Sequence, residues 1–145
     1  MSTLDRAICI AAQAHANQFD KAGAPYVLHV LRVMLKMDTN EERIAAVLHD
    51  VVEDTSWTIG DLRVEGFSEP VLQAVDGLTR RPGEDYESFI RRAKKTAIGR
   101  RVKRADLEDN SDLGRLPHPT ARDHERIDKY RRALALLDES QPVDD

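Results

Sequence analysis

The 145-residue chain has a single cysteine, Cys9, and no apolar run long enough to cross a membrane. One cysteine excludes an internal disulfide, which fits a reducing cytoplasm. Because Cys9 lies among Ile8, Ile10 and Ala11, we expect it to be a small residue of the core. The first residues contain no apolar h-region, and no segment approaches the roughly 18 apolar residues of a membrane span. The sequence therefore predicts a soluble, cytoplasmic protein without a membrane partner.

Strand patterns, internal repeats and low-complexity segments are also missing from the chain. Apolar residues recur instead at three- and four-residue spacing, which is typical of amphipathic helices. The predicted helices cover about residues 4–17, 26–37, 40–55, a short segment that Gly66 stops, 68–78, 86–97, 102–113 and 121–137. We predict capping boxes at Thr39 and Thr58, and we expect Gly99 to interrupt the helical pattern. The sequence predicts an all-α fold, with residues 1–138 as one domain and residues 139–145 as a disordered tail.

The charge balance is slightly acidic but uneven along the chain. A formal net charge of −4 argues against a nucleic-acid partner for the chain as a whole. Between Arg80 and Arg104, however, ten lysines and arginines face only three acids. This stretch, which we call the basic block, can hold a polyanion or can be a solvated helix face.

One apolar stretch contains an unusual group of polar side chains. Residues 45–55, AAVLHDVVEDT, place one imidazole and three carboxylates in a run of helix-forming residues. In a continuous helix His49 stacks on Glu53, and Asp50 faces Glu53 and Asp54. Carboxylates beside an apolar face repel one another and lose solvation unless a cation lies among them. The stretch therefore predicts a divalent metal site.

Two further segments contain matching polar residues. His29 lies in a predicted buried helix, and Asp106 lies in the predicted helix after the basic block. Two imidazole nitrogens and two carboxylate oxygens form a mixed site that suits Mn²⁺, Fe²⁺ or Zn²⁺. Sequence spacing alone does not show that these four side chains converge. A buried His29 or His15 can also be a hydrogen-bonded packing group.

Three motifs in one order resemble a known family. FDKAGAPYVLH at residues 19–29, AVLHDVVEDT at 46–55 and VKRADLEDN at 102–110 are similar to the HD-type hydrolase domain of the RelA/SpoT alarmone enzymes. The resemblance runs from about residue 4 to about residue 137 and is closest to the small stand-alone alarmone hydrolases. It implies an HD-type helical bundle that removes the 3′-pyrophosphate from guanosine tetra- or pentaphosphate.

The resemblance also implies roles for individual residues. The metal ligands, usually of Mn²⁺ in this family, match four positions: His29, His49, Asp50 and Asp106. The acidic pair that acts on the attacking water matches Glu53 and Asp54. The positions that contact or border the nucleotide match Lys21, Tyr26 and Asn110. Lys103, three residues before Asp106, can neutralise a phosphate or pair with the ligand carboxylate.

The sequence departs from the family pattern beside the predicted substrate. Asp20 stands where many relatives have a basic residue, and the third motif reads ADLEDN instead of the commoner ADRLHN, which adds the charges of Glu108 and Asp109. These departures keep two alternatives open. One is a phosphohydrolase for another nucleotide or a 3′-phosphorylated cofactor. The other is a sensor that binds the alarmone without turnover, although the presence of Glu53 and Asp54 disfavours it.

Overall fold

The computed structural model describes residues 2–139, and this part of the chain is all-helical. Its α-helices are α1 (Leu4–Ala14), α2 (Val27–Leu35), α3 (Asn40–Leu48), α4 (Val51–Asp54), α5 (Ile59–Val64), α6 (Glu69–Gly77), α7 (Tyr86–Ala93), α8 (Ala97–Asn110) and α9 (Ala121–Asp138). A short 3₁₀ helix, Leu113–Arg115, precedes α9. The strand-like pairing in residues 2–139 is limited to one isolated bridge between Phe19 and Pro25. The all-α prediction is confirmed.

Two other predictions concern membrane spans and the C-terminal tail. Within residues 2–139, the helices are too short or too polar to span a membrane. Of the predicted disordered tail, residues 140–145 lie outside the described residues.

Helix α3 lies at the centre of the core. It begins with the predicted capping box, in which the Thr39 hydroxyl accepts the Glu42 N–H at 3.2 Å and the Glu42 carboxylate accepts the Thr39 N–H at 3.0 Å. The four residues from Ala45 to Leu48 are completely buried, because α1, α2, α6 and α8 pack around them. The buried C-terminal half of α3 thus fixes the position of His49 and Asp50, which follow it directly.

Helix α8 joins this core to a second, smaller cluster. Val102 and Ala105 belong to the main core, whereas Leu107 packs with Ile90 of α7 and Leu137 of α9. A helix that is buried between two clusters carries its polar residues inward as well. For this reason α8 can place Asp106 deep in the bundle.

The predicted single helix over residues 40–55 is wrong, because the chain breaks it at the motif. Helix α3 ends at Leu48 and α4 begins at Val51, with His49 and Asp50 in the turn between them. The His49 backbone nitrogen lies 3.4 Å from the Ala46 carbonyl oxygen, and the His49 ring Nδ1 donates to that oxygen at 2.5 Å. This i to i−3 contact tightens the helix end. Both side chains of the turn then point to the same region of the core.

Two local predictions are also wrong. Gly99 lies inside the first turn of α8, which Thr96 caps, and does not interrupt a helix. A Cβ at Gly99 would lie 2.3 Å from the Ala93 carbonyl oxygen, so the close approach of α7 to α8 requires glycine there. Cys9 is exposed, since Ala7, Ile10 and Ala11 face the core and position 9 of the helix faces solvent.

The basic block divides into two parts. Several of its arginines form ion pairs on the surface or at its edge: Arg92 with Glu84, Arg91 with Glu87, Arg101 with Glu42 and Arg104 with Asp138. Two other members reach the predicted site, Arg80 through its backbone and Lys103 through its ammonium. Of the block, Arg80 and Lys103 are thus the members that contact predicted site residues.

Candidate metal centre and adjoining cleft

Three segments bring four predicted ligands together. His29 comes from α2, His49 and Asp50 come from the turn after α3, and Asp106 comes from α8. One nitrogen or oxygen atom of each residue lies within 4.8 Å of the corresponding atom of the other three. His29, His49 and Asp106 are buried, and the Asp50 side chain is 14% exposed. We call this group the His/Asp cluster.

The distances within the His/Asp cluster converge on its two Nε2 atoms. Asp106 Oδ1 lies 2.9 Å from His29 Nε2 and 3.3 Å from His49 Nε2. Asp50 Oδ2 lies 3.0 Å from His49 Nε2 and 3.9 Å from His29 Nε2. Two imidazole nitrogens and two carboxylate oxygens that meet in this way form a donor set that fits a divalent cation.

The other ring nitrogen of each histidine is already hydrogen-bonded outside the cluster. His49 Nδ1 donates to the Ala46 carbonyl oxygen, and His29 Nδ1 lies 2.6 Å from Asp109 Oδ2. A proton held on Nδ1 leaves the Nε2 lone pair free for a metal ion, which is the arrangement usual at histidine ligands.

Electrostatic interactions in the cluster are strong. Burial alone would raise the pKa of Asp106, but the Lys103 ammonium and hydrogen bonds from both imidazoles hold that pKa well below its ordinary value. Burial would lower the pKa of His49, whereas the charges of Asp50 and Asp106 raise it well above its ordinary value. A metal ion must displace the protons on the Nε2 atoms of His29 and His49 to bind, so metal binding is expected to release protons.

Three predicted substrate contacts surround the carboxylates of the cluster. The Tyr26 hydroxyl donates to Asp50 Oδ2 at 2.5 Å, Lys103 Nζ donates to Asp106 Oδ2 at 2.9 Å, and Asn110 Nδ2 donates to Asp106 Oδ1 at 3.2 Å. Burial and the Asp50 charge raise the pKa of Tyr26, so its hydroxyl stays protonated. Lys103 is buried and pairs with the carboxylate, one of the two roles that the sequence left open.

Glu53 and Asp54 lie on α4, one turn beyond the cluster, and both are exposed. Glu53 Oε1 accepts the backbone N–H of Arg80 at 2.6 Å. Partial desolvation, followed by repulsion from Asp50 and Glu53, raises the pKa of Asp54 to about 6. The two acids therefore differ, since one is fixed by a hydrogen bond and the other titrates near neutrality.

A cleft of about 240 Å³ opens beside the cluster. Tyr26 and Asn110 belong to its wall and also contact the cluster. The rest of the wall supplies aromatic rings, cations and the loop before α2: Phe19, Asp20, Lys21, Ala22, Asp112, Arg115, Leu116, Arg126 and Tyr130. Three of the four predicted substrate contacts, Lys21, Tyr26 and Asn110, thus border one cavity.

Several residues of the site were not found from the sequence. The sequence indicates Asp109 only as an added charge, and its motifs do not include Arg32, Arg115 or Arg126. The available signal was helical spacing, because Asp109 lies three residues after Asp106 and Arg32 three residues after His29. His15, in contrast, caps α1 as a packing residue, and its Nδ1 lies 2.8 Å from the Gln18 side-chain oxygen.

The fold and the His/Asp cluster define the class of protein: an all-α bundle with a candidate divalent-metal centre. The family model described as "HD domain" matches residues 7–139. The chain belongs to the HD-domain family.

Comparison with curated proteins identifies longer relatives. Over 118 residues, 75% of this chain, it is 35% identical to the guanosine-3′,5′-bis(diphosphate) 3′-pyrophosphohydrolase of Aquifex aeolicus and covers 17% of that protein. It is 41% identical over 85 residues, 55% of this chain, to a probable GTP pyrophosphokinase of Mycobacterium leprae, and covers 10% of it. It is 35% identical over 82 residues, 53% of this chain, to the bifunctional (p)ppGpp synthase/hydrolase SpoT of Escherichia coli, and covers 11% of it. The chain thus spans less than a fifth of each of these relatives.

A solved structure agrees with the fold over nearly the whole chain. It is described as "A metazoan ortholog of SpoT hydrolyzes ppGpp and plays a role in starvation responses". The match has a TM-score of 0.77 at 24% sequence identity and covers 96% of this chain and 87% of the other. At this identity the match establishes the shared fold.

Proposed function

We propose that the chain is a metal-dependent phosphohydrolase that removes the 3′-pyrophosphate from guanosine tetra- or pentaphosphate, releasing pyrophosphate and GDP or GTP. The observation that carries the proposal is the His/Asp cluster beside a cleft lined by aromatic rings and cations. Several curated relatives support the substrate, because they are named as pyrophosphohydrolases of this nucleotide. His29, His49, Asp50 and Asp106 are the proposed metal ligands.

Mn²⁺ is the cation that we propose, since a mixed imidazole and carboxylate site suits it. Bound there, a divalent cation polarises a phosphoryl group and makes water acidic enough to supply a nucleophile near neutral pH. The chain's own contribution is to hold two Nε2 atoms and two carboxylates in place before the substrate arrives. Such prior organisation reduces the reorganisation that the reaction requires.

Glu53 is the proposed general base. The Arg80 N–H holds one oxygen of its carboxylate, and the carboxylate can accept the proton of the attacking water. The water oxygen forms a bond to phosphorus while the bond between phosphorus and the 3′-oxygen of the ribose breaks. The 3′-oxygen then needs a proton, and Asp54, with a pKa of about 6, can donate it.

The cleft is the proposed nucleotide site. Lys21, Arg115 and Arg126 offer positive charge to the 5′-phosphates, as their place on the wall allows. The Phe19 side chain is 65% exposed and presents an aromatic face on which a planar base can stack. Tyr26 and Asn110 lie between the cleft and the cluster, so we place the 3′ position of the ribose beside them.

One observation favours a second substrate class. The Asp20 carboxylate accepts the N–H groups of Ala22 and Ala24, each at 2.9 Å, and so shapes the loop beside the cleft. Asp20 replaces a basic residue of many relatives, so this wall has less positive charge for a polyphosphate. The alternative is therefore a phosphohydrolase for another nucleotide or a 3′-phosphorylated cofactor.

Incubation of the purified protein and Mn²⁺ with guanosine tetraphosphate tests the proposal directly. We expect equimolar GDP and pyrophosphate, and a panel of nucleotides and 3′-phosphorylated cofactors separates the two substrate classes. Absence of both products at high enzyme concentration would reject the alarmone as substrate.

Replacement of the general base tests the mechanism. We expect Glu53→Gln to lower kcat by about 10²- to 10⁴-fold and to leave the Kd for Mn²⁺ unchanged. Glu108→Gln, which removes an equal charge from the exposed face of α8, is the matched control and should keep full activity. Full turnover by Glu53→Gln would show that another group accepts the proton.

We also propose the extent of the domain, its cellular location and the kinds of partner that it lacks. Residues 1–138 form one HD-type phosphohydrolase domain that acts in the cytoplasm on a free nucleotide, without a nucleic-acid or membrane partner. The acidic net charge supports the absence of a nucleic-acid partner, and the lack of long apolar runs in the sequence supports the absence of a membrane partner.

A further inference from the structure

A buried carboxylate outside the His/Asp cluster contacts one of its histidines. Asp109 is 5% exposed, and its Oδ2 lies 2.6 Å from His29 Nδ1. On the other side of the ring, Asp106 Oδ1 lies 2.9 Å from His29 Nε2. Two carboxylates from one helix, three residues apart, therefore hold the imidazole by its two nitrogens.

Two arginines hold the Asp109 carboxylate in place. Arg32 donates from Nε to Oδ1 at 2.8 Å and from a terminal nitrogen to Oδ2 at 3.0 Å, which is a bidentate contact. Arg115 approaches Oδ1 at 3.5 Å and donates to the Asp109 carbonyl oxygen at 2.7 Å. These contacts fix the orientation of the carboxylate and offset its charge, so Asp109 does not add repulsion to the cluster.

The two histidines of the cluster thus differ in what holds their Nδ1 atoms. His49 donates to a neutral carbonyl oxygen, whereas His29 faces a carboxylate. A carboxylate keeps the proton on Nδ1 more strongly than a carbonyl does, and it increases the electron density at Nε2. The outcome is a ring fixed in orientation, with Nε2 directed to the cluster.

We propose that Asp109 is a positioning residue that orients His29, keeps its proton on Nδ1 and thereby strengthens the binding of the divalent cation. This proposal rests on the metal site of the proposed function. It gives a role to a residue that departs from the common ADRLHN pattern, because the departure supplies a hydrogen-bond acceptor where Arg32 can neutralise it. The effect passes through His29, since Asp109 contacts the ring nitrogen remote from the cluster.

The test compares Asp109→Asn with Glu108→Gln, which removes the neighbouring exposed carboxylate of the same helix. Both variants lose one negative charge, and only the first changes the contact with His29. Calorimetric titration with Mn²⁺ should give a Kd that is 10- to 100-fold weaker for Asp109→Asn and unchanged for Glu108→Gln. Equal affinities in the two folded variants would overturn the role of Asp109 alone. Failure of the unmodified protein to bind Mn²⁺ would overturn the metal site and this proposal with it.

A second measurement needs no variant and reports the ring itself. In the unmodified protein labelled with ¹⁵N at histidine, Zn²⁺ serves as a diamagnetic probe. We expect the His29 Nδ1 to remain protonated on titration, while the Nε2 resonance shifts as metal binds. Loss of the proton from Nδ1 on metal binding, or a proton retained on Nε2, would overturn the proposal even if Asp109→Asn fails to fold.

Discussion

Replacement of Lys103 by methionine is expected to make the stability of the fold depend on bound metal. Lys103 is buried, its Nζ donates to Asp106 Oδ2 at 2.9 Å, and the same ammonium lies 4.7 Å from the centre of the Phe89 ring. Methionine fills a similar volume but leaves the buried carboxylate without its cation. Removal of one partner of a buried pair costs about 3–5 kcal/mol.

The structure places the expected value at the lower end of that range. His29 and His49 also hydrogen-bond Asp106, so its charge is only partly uncompensated after the change. We expect a loss of about 3 kcal/mol in the metal-free protein, which is roughly 10 °C in Tm for a chain of this size. Because a bound divalent cation compensates the same carboxylate, saturating Mn²⁺ should reduce the difference in Tm by at least half.

Thermal unfolding followed by circular dichroism, with chelator and with Mn²⁺, measures both quantities. Lys95→Met is the matched control, since Lys95 is an exposed lysine that precedes the same helix, and its effect should stay within about 0.5 kcal/mol. Unfolding of metal-free Lys103→Met within 2 °C of the control (about 0.6 kcal/mol) would show that Lys103 does not stabilise the buried carboxylate. A difference that Mn²⁺ leaves unchanged would show that the cation does not compensate Asp106.

Three further outcomes are expected. Phe19→Ala should raise KM for the nucleotide several-fold at nearly constant kcat and Tm, because the ring is exposed on the cleft wall; a steady-state assay decides this. Gly99→Ala should destabilise the fold by about 1–3 kcal/mol through its clash with the end of α7, whereas Gly60→Ala, whose nearest contact is at 3.6 Å, should be neutral or stabilising in denaturant unfolding. Hydrogen bonds from the Arg92 side chain lower the pKa of Glu84 to about 2, so this pair stabilises the fold above pH of about 4.5 and the stabilisation is lost as pH falls toward 2. Glu84→Gln should therefore have a lower Tm at pH 7 and a smaller decline in Tm over that acid range, and an equal decline in both proteins would contradict this.

Local signals in the sequence predicted the beginnings of helices well. The capping boxes at Thr39 and Thr58 both form as expected, because each needs only residues within one turn. The end of the central helix was wrong for the opposite reason. It depends on the His49 ring donating to Ala46 while the same ring reaches Asp106, 57 residues away in the sequence.

The candidate site could be predicted in its composition but not in its geometry. Motif spacing and family resemblance indicated His29, His49, Asp50 and Asp106, and the structure places them within 4.8 Å of one another, while their role as ligands stays a prediction. The sequence indicates Asp109 only as added charge near the site, because its contact with Arg32 depends on the packing of α2 against α8. Helical spacing places Asp109 on the face of Asp106 and Arg32 on the face of His29, but it does not show that the two faces meet.

The contact between α2 and α8 has a consequence for folding as well as for chemistry. His29 and Asp106 are 77 residues apart, so a cation that both residues hold would cross-link distant parts of a chain that has no disulfide. In the chain-entropy model, a permanent cross-link that closes a loop of that size stabilises a protein by about 4–5 kcal/mol. A metal cross-link differs in that a chelator removes it. The concentration of available cation would therefore set how strongly α2 and α8 are held together.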